Sequence, residues 1–435
     1  MREGAVFKYG TPVKVSEMPA YPGTSFIVAY PFIWDNKKGT LTRFYQGIID
    51  EPEKHRRYIV VADVSTDGGY TWTPRNTARE AGIENPMFEN QVWEHQNLNM
   101  MFLLDCGDCI RIFACSENWD NWTITNHVLV SYDGIHFEIE RSGWHKRGAE
   151  PGAGGIYSDV TDSYIIAIRP DWGARQLCIV ETKDFKEFSE PLSAIGSDAM
   201  DRPCSEAYGM PMFKYKDMYL GFLWMFHGVQ EKKNKFFGGP VTTQLTYSKN
   251  GKFWQRSLHE PFLPETTVEY PTAMMQLPDG EIAIFGSTGP GFHGFDKPEG
   301  TVMTEYRLRE DGFICLFAEG AANVCTRTMV LKSDSKISLN IKAKKATVAL
   351  LTAGGQPIEG FTHEDCIEFS GDSTKWVPEW KEKSFSDIVG KVFNMDIKFE
   401  EGELYSYTGD FENLFNFDVR RYTTFGTLND NSTYL

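Results

Sequence analysis

Acidic side chains stand just before several apolar, strand-forming runs of this chain. Glu206 is the strongest candidate for chemistry, because small and apolar residues surround it in DRPCSEAYGMPMF, directly before such a run. An apolar setting raises the pKa of a carboxyl group, and a general acid needs a raised pKa at neutral pH. The sequence therefore predicts Glu206 as a general acid, with a surface carboxylate at a strand entrance as the alternative.

Other candidates hold comparable positions where apolar runs begin or end. Aromatic, amide and charged side chains at such places are typical of a site that binds a ring-shaped polar ligand. His227 ends the run MYLGFLWMFH and has a structural role as its alternative. The further candidates for catalysis or binding are Trp34, Asp35, Asn97, Glu150, Arg169, Asp171, Asp201 and Glu269.

A repeated hairpin indicates the elements that must position these residues. STDGGYTW (65–72) follows the apolar run YIVVADV, and SYDGIHFE, TKDFKEFSE and SKNGKFWQR repeat its pattern at intervals of about 50 to 65 residues. Asp or Asn can accept hydrogen bonds from the turn backbone, Gly supplies positive φ, and an aromatic residue begins the return strand. Several short strands per unit at such a period are typical of propeller blades.

The pattern changes after REDGFICLFAEG (309–320). The later runs KISLNIKA, ATVALLTA and KVFNMDIKFE alternate apolar and polar residues but lack the hairpin, which favours an antiparallel sandwich. Amphipathic helices are nearly absent before residue 310. We therefore predict an all-β protein with a five-bladed β-propeller over 1–311 and a C-terminal β-sandwich, with a polar tail, over 312–435.

The composition of the chain excludes several classes of binding partner and cofactor. The net charge of −16, from 44 basic and 60 acidic residues, argues against nucleic acid or an anionic membrane as partner. The start MREGAVFKYG has no apolar signal-like core, so we expect a soluble protein, either cytoplasmic or exported with its signal removed. Eight scattered cysteines with one CxxC pair (106 and 109) predict neither a metal site nor a cofactor.

The chain resembles the five-bladed propeller glycosidases, the group that contains invertases, levanases, arabinanases and β-xylosidases. PFIWDNKKGTLTRFYQG is similar to the first blade of the invertase branch, and the trailing sandwich matches that branch too. TEYRLREDGFICLFAEG, PIEGFTHEDC and GDSTKW are most similar to a set of bacterial propeller-plus-sandwich proteins labelled glycoside hydrolases. The resemblance implies a hydrolase that acts on an oligosaccharide or polysaccharide.

The resemblance also implies roles for single residues. Glu206 stands where those enzymes carry the acid/base glutamate, and Glu150, followed by Pro151, roughly where they place a transition-state stabiliser. The stretch that corresponds to their nucleophile motif is TSFIVAYP, which has no carboxylate. We therefore expect an inverting mechanism, with Asp171, Glu150 or Asp201 as the base.

Two further readings stay open. One is a carbohydrate-binding propeller without catalytic activity, which is consistent with the missing nucleophile motif. Two carboxylates that face each other in the funnel at the propeller axis would favour the hydrolase over this alternative. STDGGYTW also resembles the Asp box of sialidases, which need a set of three arginines that the sequence does not show. We therefore predict that this hairpin pins the blade turns and takes no part in catalysis.

Overall fold

The structure is a computed structural model. It describes residues 2–18, 31–36, 39–49, 57–75, 77–80, 82–84, 91–96, 98–118, 123–145, 150–170, 175–230, 237–264, 268–289, 293, 302–333, 335–416 and 418–420.

The strands form two units, Pro12–Leu308 and Met1–Thr11 with Arg309–Leu435. Three strands begin the chain: β1 (Arg2–Glu3), β2 (Val6–Tyr9) and β3 (Val13–Met18). The strands of the first unit then follow in five groups. They are β4 (Phe32–Asp35), β5 (Leu41–Ile49), β6 (Arg57–Ser65), β7 (Thr73–Pro74) and β8 (Gln91–Gln96); β9 (Leu98–Asp105), β10 (Ile110–Asn118), β11 (Thr123–Ser131) and β12 (Glu138–Ser142); β13 (Glu150–Ser158), β14 (Ser163–Arg169), β15 (Leu177–Thr182) and β16 (Leu192–Ile195); β17 (Ser205–Gly209), β18 (Met212–Tyr215), β19 (Met218–His227), β20 (Val229–Gln230), β21 (Phe237–Gly238), β22 (Val241–Ser248) and β23 (Gln255–Arg256); β24 (Val268–Gln276), β25 (Ile282–Gly289) and β26 (Val302–Leu308).

The main strands of each group form an antiparallel sheet, and we call these sheets blades 1 to 5, whereas β20 and β21 pair only with each other. In the second and third blades the spatial order equals the chain order, β9 to β12 and β13 to β16. The fifth blade is completed by β3, which pairs with β26 from Met18 opposite Met303 to Val13 opposite Arg307. The N-terminal strand therefore supplies the outermost strand of the last blade.

The middle strands of the blades are buried on both faces. Every residue of β19 after Met218 is buried, and in β14 the run Ile165–Ile168 is wholly inaccessible. A strand with another sheet on each side has no polar face, so its apolar residues form a continuous run. This accounts for MYLGFLWMFH in the fourth blade, whereas β9, nearer the edge, alternates.

Hydrophobic clusters connect each blade to the next and close the ring. One cluster joins blades 1, 2 and 3, a second joins blades 3 and 4, and a third joins blades 4 and 5. The last joins blade 5 to blade 1 through Phe285 and Trp72, whose rings meet edge to face at 6.0 Å. Thr272 also donates a hydrogen bond to the carbonyl of Pro31. The predicted five-bladed propeller is confirmed.

The repeated hairpins all link the third strand of a blade to its fourth. In blade 2 the hydroxyl of Ser131 accepts a hydrogen bond from the amide of Gly134, and the Asp133 carboxylate accepts from the amides of Ile135 and His136, each at 2.8 Å. The same arrangement recurs in blades 1, 3 and 4. We call these four segments the box turns: Ser65–Gly69, Ser131–Gly134, Thr182–Phe185 and Ser248–Gly251.

Each box turn also packs on the preceding blade. A Cβ atom added to Gly134 would lie 2.5 Å from the ring of Trp34 in blade 1, and one added to Gly251 would lie 2.8 Å from Ile165 in blade 3. Phe185 takes the glycine position in blade 3 with φ of 58° and lies under the guanidinium of Arg111. The described residues contain four box turns, because the fourth strand of blade 5 is β3, which is not joined to β26 by a hairpin.

The second unit contains one long antiparallel sheet and a smaller one. Its elements are β27 (Ile314–Cys325), β28 (Met329–Leu331), β29 (Ser338–Leu351), β30 (Phe369–Trp376), a 3₁₀ helix (Phe385–Ile388), β31 (Val392–Thr408) and β32 (Phe411–Asn413). The long sheet runs β1 and β2, β27, β31, β29, β30, and the start of β31 pairs with β28 in the small sheet. An apolar core that includes Phe393, Ile397 and Trp380 fills this predicted β-sandwich.

The division of the chain differs from the expected 1–311 and 312–435 at both ends of the first unit. Strands β1 and β2 pair with β27, from Arg2 opposite Val324 to Tyr9 opposite Ile314, so residues 1–11 belong to the second unit. The second unit resumes at Arg309. Pairing between strands some 300 residues apart has no local signature, which is why the sequence placed these residues with the propeller.

Candidate functional site

Glu206 lies on β17, the innermost strand of blade 4, and its side chain is 27% exposed. Burial alternates along this strand, so Ser205 and Ala207 are buried while Glu206 and Tyr208 share the more open face. The guanidinium of Arg175 donates to the Glu206 carboxylate at 2.7 Å, and the Arg175 amide approaches the other oxygen at 3.3 Å. Arg175, which follows β14 of blade 3, therefore binds the Glu206 carboxylate of blade 4.

Two arginines lie against the aromatic rings of this face. The guanidinium of Arg169, at the end of β14, lies 4.4 Å from the ring centre of Tyr208. Arg175 lies 5.4 Å from the same ring and 5.5 Å from that of Phe226. Cation–π contacts of this kind fix guanidinium groups in place. The structure thus brings two of the predicted site residues, Glu206 and Arg169, into one cluster around Tyr208.

His293 adds a partly buried imidazole between two blades. Its Nε2 lies 2.9 Å from the hydroxyl of Tyr208 and its Nδ1 lies 2.9 Å from the hydroxyl of Tyr270 on β24. Burial, together with repulsion from Arg175 and Arg169, lowers the pKa of His293 to about 4. The ring is therefore neutral near pH 7.

A neutral imidazole has one N–H donor and one acceptor. One of its two tyrosine partners must donate to it, while the other accepts its N–H and keeps its own proton for a further acceptor. Whichever of Tyr208 and Tyr270 accepts this N–H has a phenol O–H that His293 does not use. Donors and a carboxylate next to an aromatic face are the groups that bind sugar hydroxyls and act on a glycosidic oxygen.

Two predicted residues are buried in contacts inside the blades. His227 lies between the hydroxyls of Ser205 at 2.7 Å and Thr242 at 2.8 Å, so this imidazole ties three strands of blade 4 together. Glu269 is 2% exposed and accepts a hydrogen bond of 3.0 Å from Tyr306. Burial and this neighbouring carboxylate raise the pKa of Tyr306.

Three further candidates lie away from the cluster. Asp201 has a nearly inaccessible carboxylate that binds Arg256 on β23 at 2.6 and 2.7 Å. Trp34 packs against the box turn of blade 2, and Asp35 is exposed at the end of β4. A buried ion pair and an interblade ring are contacts that hold the propeller together.

The remaining candidates are described in part or not at all. Asn97 and Asp171 lie outside the described residues. Glu150 is described at the level of the backbone, where it begins β13 directly opposite Arg169 in the β13–β14 register. Its main chain therefore lies one strand away from a residue of the Tyr208 cluster.

Sequence reasoning missed Arg175, Tyr208, Tyr270 and His293. His293 belongs to the glycine-rich stretch GPGFHG, and its ring contacts tyrosines of blades 4 and 5. Arg175 closes the segment RPDWGAR that begins with Arg169, a spacing that gives no regular strand or helix pattern. Among the described residues, no group of three or more His, Cys, Asp or Glu could hold a metal ion.

No protein-family model and no curated protein matches the sequence. Solved structures with a similar fold include the family-32 β-fructofuranosidase of Bombyx mori, with 11% identity over 93% of each chain and a TM-score of 0.45. The exo-β-1,3-galactanase of Phanerochaete chrysosporium has 9% identity over 93% of this chain and 99% of that one, with a TM-score of 0.40. An N-acetylgalactosamine deacetylase of F. plautii has 13% identity over 70% and 95%, with a TM-score of 0.42. The fold assignment rests on the ring of sheets described above.

Within the described part of the chain, no helix has the length and apolar character that a membrane crossing requires.

Proposed function

We propose that this protein is a glycoside hydrolase that cleaves an oligosaccharide or polysaccharide where blades 3, 4 and 5 meet. The observation that carries the proposal is the half-buried carboxylate of Glu206 on the innermost strand of blade 4, next to Tyr208 and two arginines from blade 3. A carboxyl group beside an aromatic surface and several hydrogen-bond donors has the parts that glycosidic cleavage needs.

In this proposal Glu206 is the general acid that protonates the leaving oxygen. The base is Asp171 or Glu150, because Arg256 holds the third contender, Asp201, in a buried ion pair. Glu150 begins the innermost strand of blade 3, opposite Arg169. The stretch TSFIVAYP offers no carboxylate as a nucleophile, which favours an inverting reaction in which a water molecule attacks the anomeric carbon.

Arg175 sets a condition on this mechanism. Its guanidinium and its amide each bind one oxygen of Glu206, so this carboxyl group can donate a proton to a glycosidic oxygen only when Arg175 moves away. Its side chain is 45% exposed, which leaves room for that movement. Arg169 and Tyr208 then bind the hydroxyl groups of the sugar.

The ion pair between Arg175 and Glu206 also favours a second candidate function, a carbohydrate-binding propeller without catalytic activity. An ion pair that stays closed in the complex would leave Glu206 as a fixed acceptor for sugar hydroxyls. The two candidates make opposite predictions for hydrolysis.

A panel of aryl glycosides and oligosaccharides tests the proposal with wild type, Glu206→Gln and the matched control Glu281→Gln, an exposed carboxyl on a distant hairpin. We expect some substrate to be cleaved, Glu206→Gln to lose about 100-fold to 10,000-fold in kcat, and the control to be unchanged. Equal thermal midpoints would show that folding is intact. NMR of the first product then reports the anomer, with inversion expected.

Equal activity of wild type and Glu206→Gln would overturn the site assignment. Sugar binding without cleavage of any substrate would favour the binding propeller.

A further inference from the structure

A polar groove crosses the long sheet of the second unit, separate from the propeller cluster. One row of side chains runs through it on four adjacent strands. Glu3 of β1 is opposite Asn323 of β27, Asn323 is opposite Lys398 of β31, and Lys398 is opposite Thr347 of β29. Residues that are direct partners on neighbouring strands point to the same face of a sheet. The row therefore lines one continuous face.

A second row lies two residues further along the same strands. Ala321 of β27 is opposite Glu400 of β31, which is in turn opposite Lys345 of β29. The two rows border a groove of about 410 Å³, a size within the range of about 300 to 1,000 Å³ that is typical of ligand sites. Small residues form its floor, because Gly4 and Ala321 lie so close that a Cβ at Gly4 would overlap the carbonyl of Ala321.

Thr347 is held in a fixed orientation at one end of the groove. Its hydroxyl lies 3.0 Å from Nδ1 of His363, and Nε2 of His363 lies 3.0 Å from the carboxylate of Asp396. A carboxylate only accepts hydrogen bonds, so Nε2 carries a proton and, in the neutral ring, Nδ1 accepts the threonine proton. The Thr347 oxygen is then an aligned acceptor for a ligand.

Asn323 provides an acceptor that the protein leaves unused. Its Oδ1 atom is buried and has no hydrogen-bond partner among the described residues. A buried polar atom without a partner costs stability, and a ligand group that donates to it would offset this cost. This carbonyl lies in the same row as Thr347, with Lys398 between them.

The charges of the groove define the class of ligand. Its lining has two acids, Glu3 and Glu400, and two bases, Lys345 and Lys398, so its formal charge is zero. An anion or a cation placed there would meet a group of its own sign, whereas a neutral hydroxyl group can donate to the acids and accept from the lysines. Sugars carry several such hydroxyls on neighbouring carbons.

We infer that this groove is a second carbohydrate site, which holds a neutral, hydroxyl-rich segment of a glycan. The inference rests on the proposed function in one respect, namely that the bound glycan is also the substrate of the hydrolase. The binding itself is measured without cleavage and is therefore independent of it. Recognition there depends on hydrogen bonds, because the one aromatic residue in the lining, Phe399, is buried in the core.

The test measures binding of soluble neutral polysaccharides and their oligosaccharides to the full chain by affinity electrophoresis and calorimetry. Glu206→Gln serves as the background, so that substrates are not consumed. We expect Thr347→Val and Lys398→Met each to weaken binding by about 2-fold to 10-fold, as for one lost hydrogen bond, and the double variant to weaken it further. Lys375→Met, an exposed residue of β30 outside the groove, is the matched control and should bind as its parent does.

Hydrolysis of a short aryl glycoside separates this inference from the proposed function. We expect the groove variants, made in the wild-type background, to keep that activity while they lose retention on polysaccharide. Unchanged glycan binding in the double variant, or no glycan binding by the parent across the panel, would overturn the inference whether or not the propeller cleaves anything. Lys398→Met changes only an exposed side chain, so its result stands even if Thr347→Val fails to fold.

Discussion

The box turns and the Glu206 cluster use the same kinds of residue in opposite ways. In the box turn of blade 2, the Asp133 carboxylate binds amides two and three residues away and the ring of His136. At the cluster, the Glu206 carboxylate binds Arg175, which lies 31 residues earlier in the chain on another blade. An acidic residue alone therefore does not reveal whether it supports the fold or the chemistry.

The distance of the partner along the chain is what separates the two uses. A carboxylate that accepts hydrogen bonds from the amides of its own turn stabilises that turn, and it keeps these partners in the folded state. A carboxylate that a half-exposed arginine holds from another blade can exchange that partner for a ligand. Stability should therefore respond to changes in the box turns, and activity to changes in the cluster.

The largest expected effect on stability lies where a box turn meets the preceding blade. Gly134 has φ of 72° and a Cβ there would meet the Trp34 ring at 2.5 Å, whereas Gly143 in the same blade has φ of 62° and open space around it. We expect Gly134→Ala to cost about 2 to 5 kcal/mol of unfolding free energy and Gly143→Ala about 1 to 2 kcal/mol. Denaturant titration of both variants measures the difference.

That difference isolates the contact between blades from the backbone strain, which the two glycines share. Equal losses in the two variants would mean that Trp34 moves aside without cost. Activity per folded molecule should stay at the wild-type level in both.

The next effect concerns His293 in the cluster. Its pKa is about 4 in the folded protein and near 6.5 when unfolded, so the neutral ring contributes stability above pH 6.5 that is lost as the pH falls towards 4. Relative to His293→Gln, wild type should lose on the order of 3 kcal/mol across this window. Urea unfolding of both proteins from pH 7 to pH 4 measures this loss, and a constant difference would contradict a neutral imidazole in the folded protein.

The smallest effect concerns the charge in a box turn. Partial burial raises the pKa of Asp133, but hydrogen bonds from the side chain and amide of His136 and from Ile135 outweigh this and lower it to about 2. The charge therefore contributes stability above pH 4 that is lost as the pH falls towards 2. The advantage of wild type over Asp133→Asn should shrink over that range, and an advantage that persists at pH 2 would argue against this account.

Much of the propeller was predictable because its signals are local. Each box turn is a four- or five-residue hydrogen-bonding pattern that ends one strand and begins the next, and four of them at a regular period indicate stacked blades. The continuous apolar run of β19 likewise reflects a strand with a sheet on either side. The closure by β3 and the pairing of β1 with β27 were not predictable, because they join opposite ends of the chain.

The features of the candidate site likewise fall into those with a local sequence signal and those that depend on contacts between distant segments. The sequence by itself determined the all-β class, the box turns and the position of Glu206 at the start of an inner strand, because propensity, turn chemistry and alternation act within a few residues. Only the tertiary structure decided that Asp201 and Glu269 are buried with partners of their own, and that Arg175 and His293 join Glu206 and Tyr208. Those contacts arise from the packing of separate blades, and no short stretch of sequence encodes which loops a ring of sheets brings together.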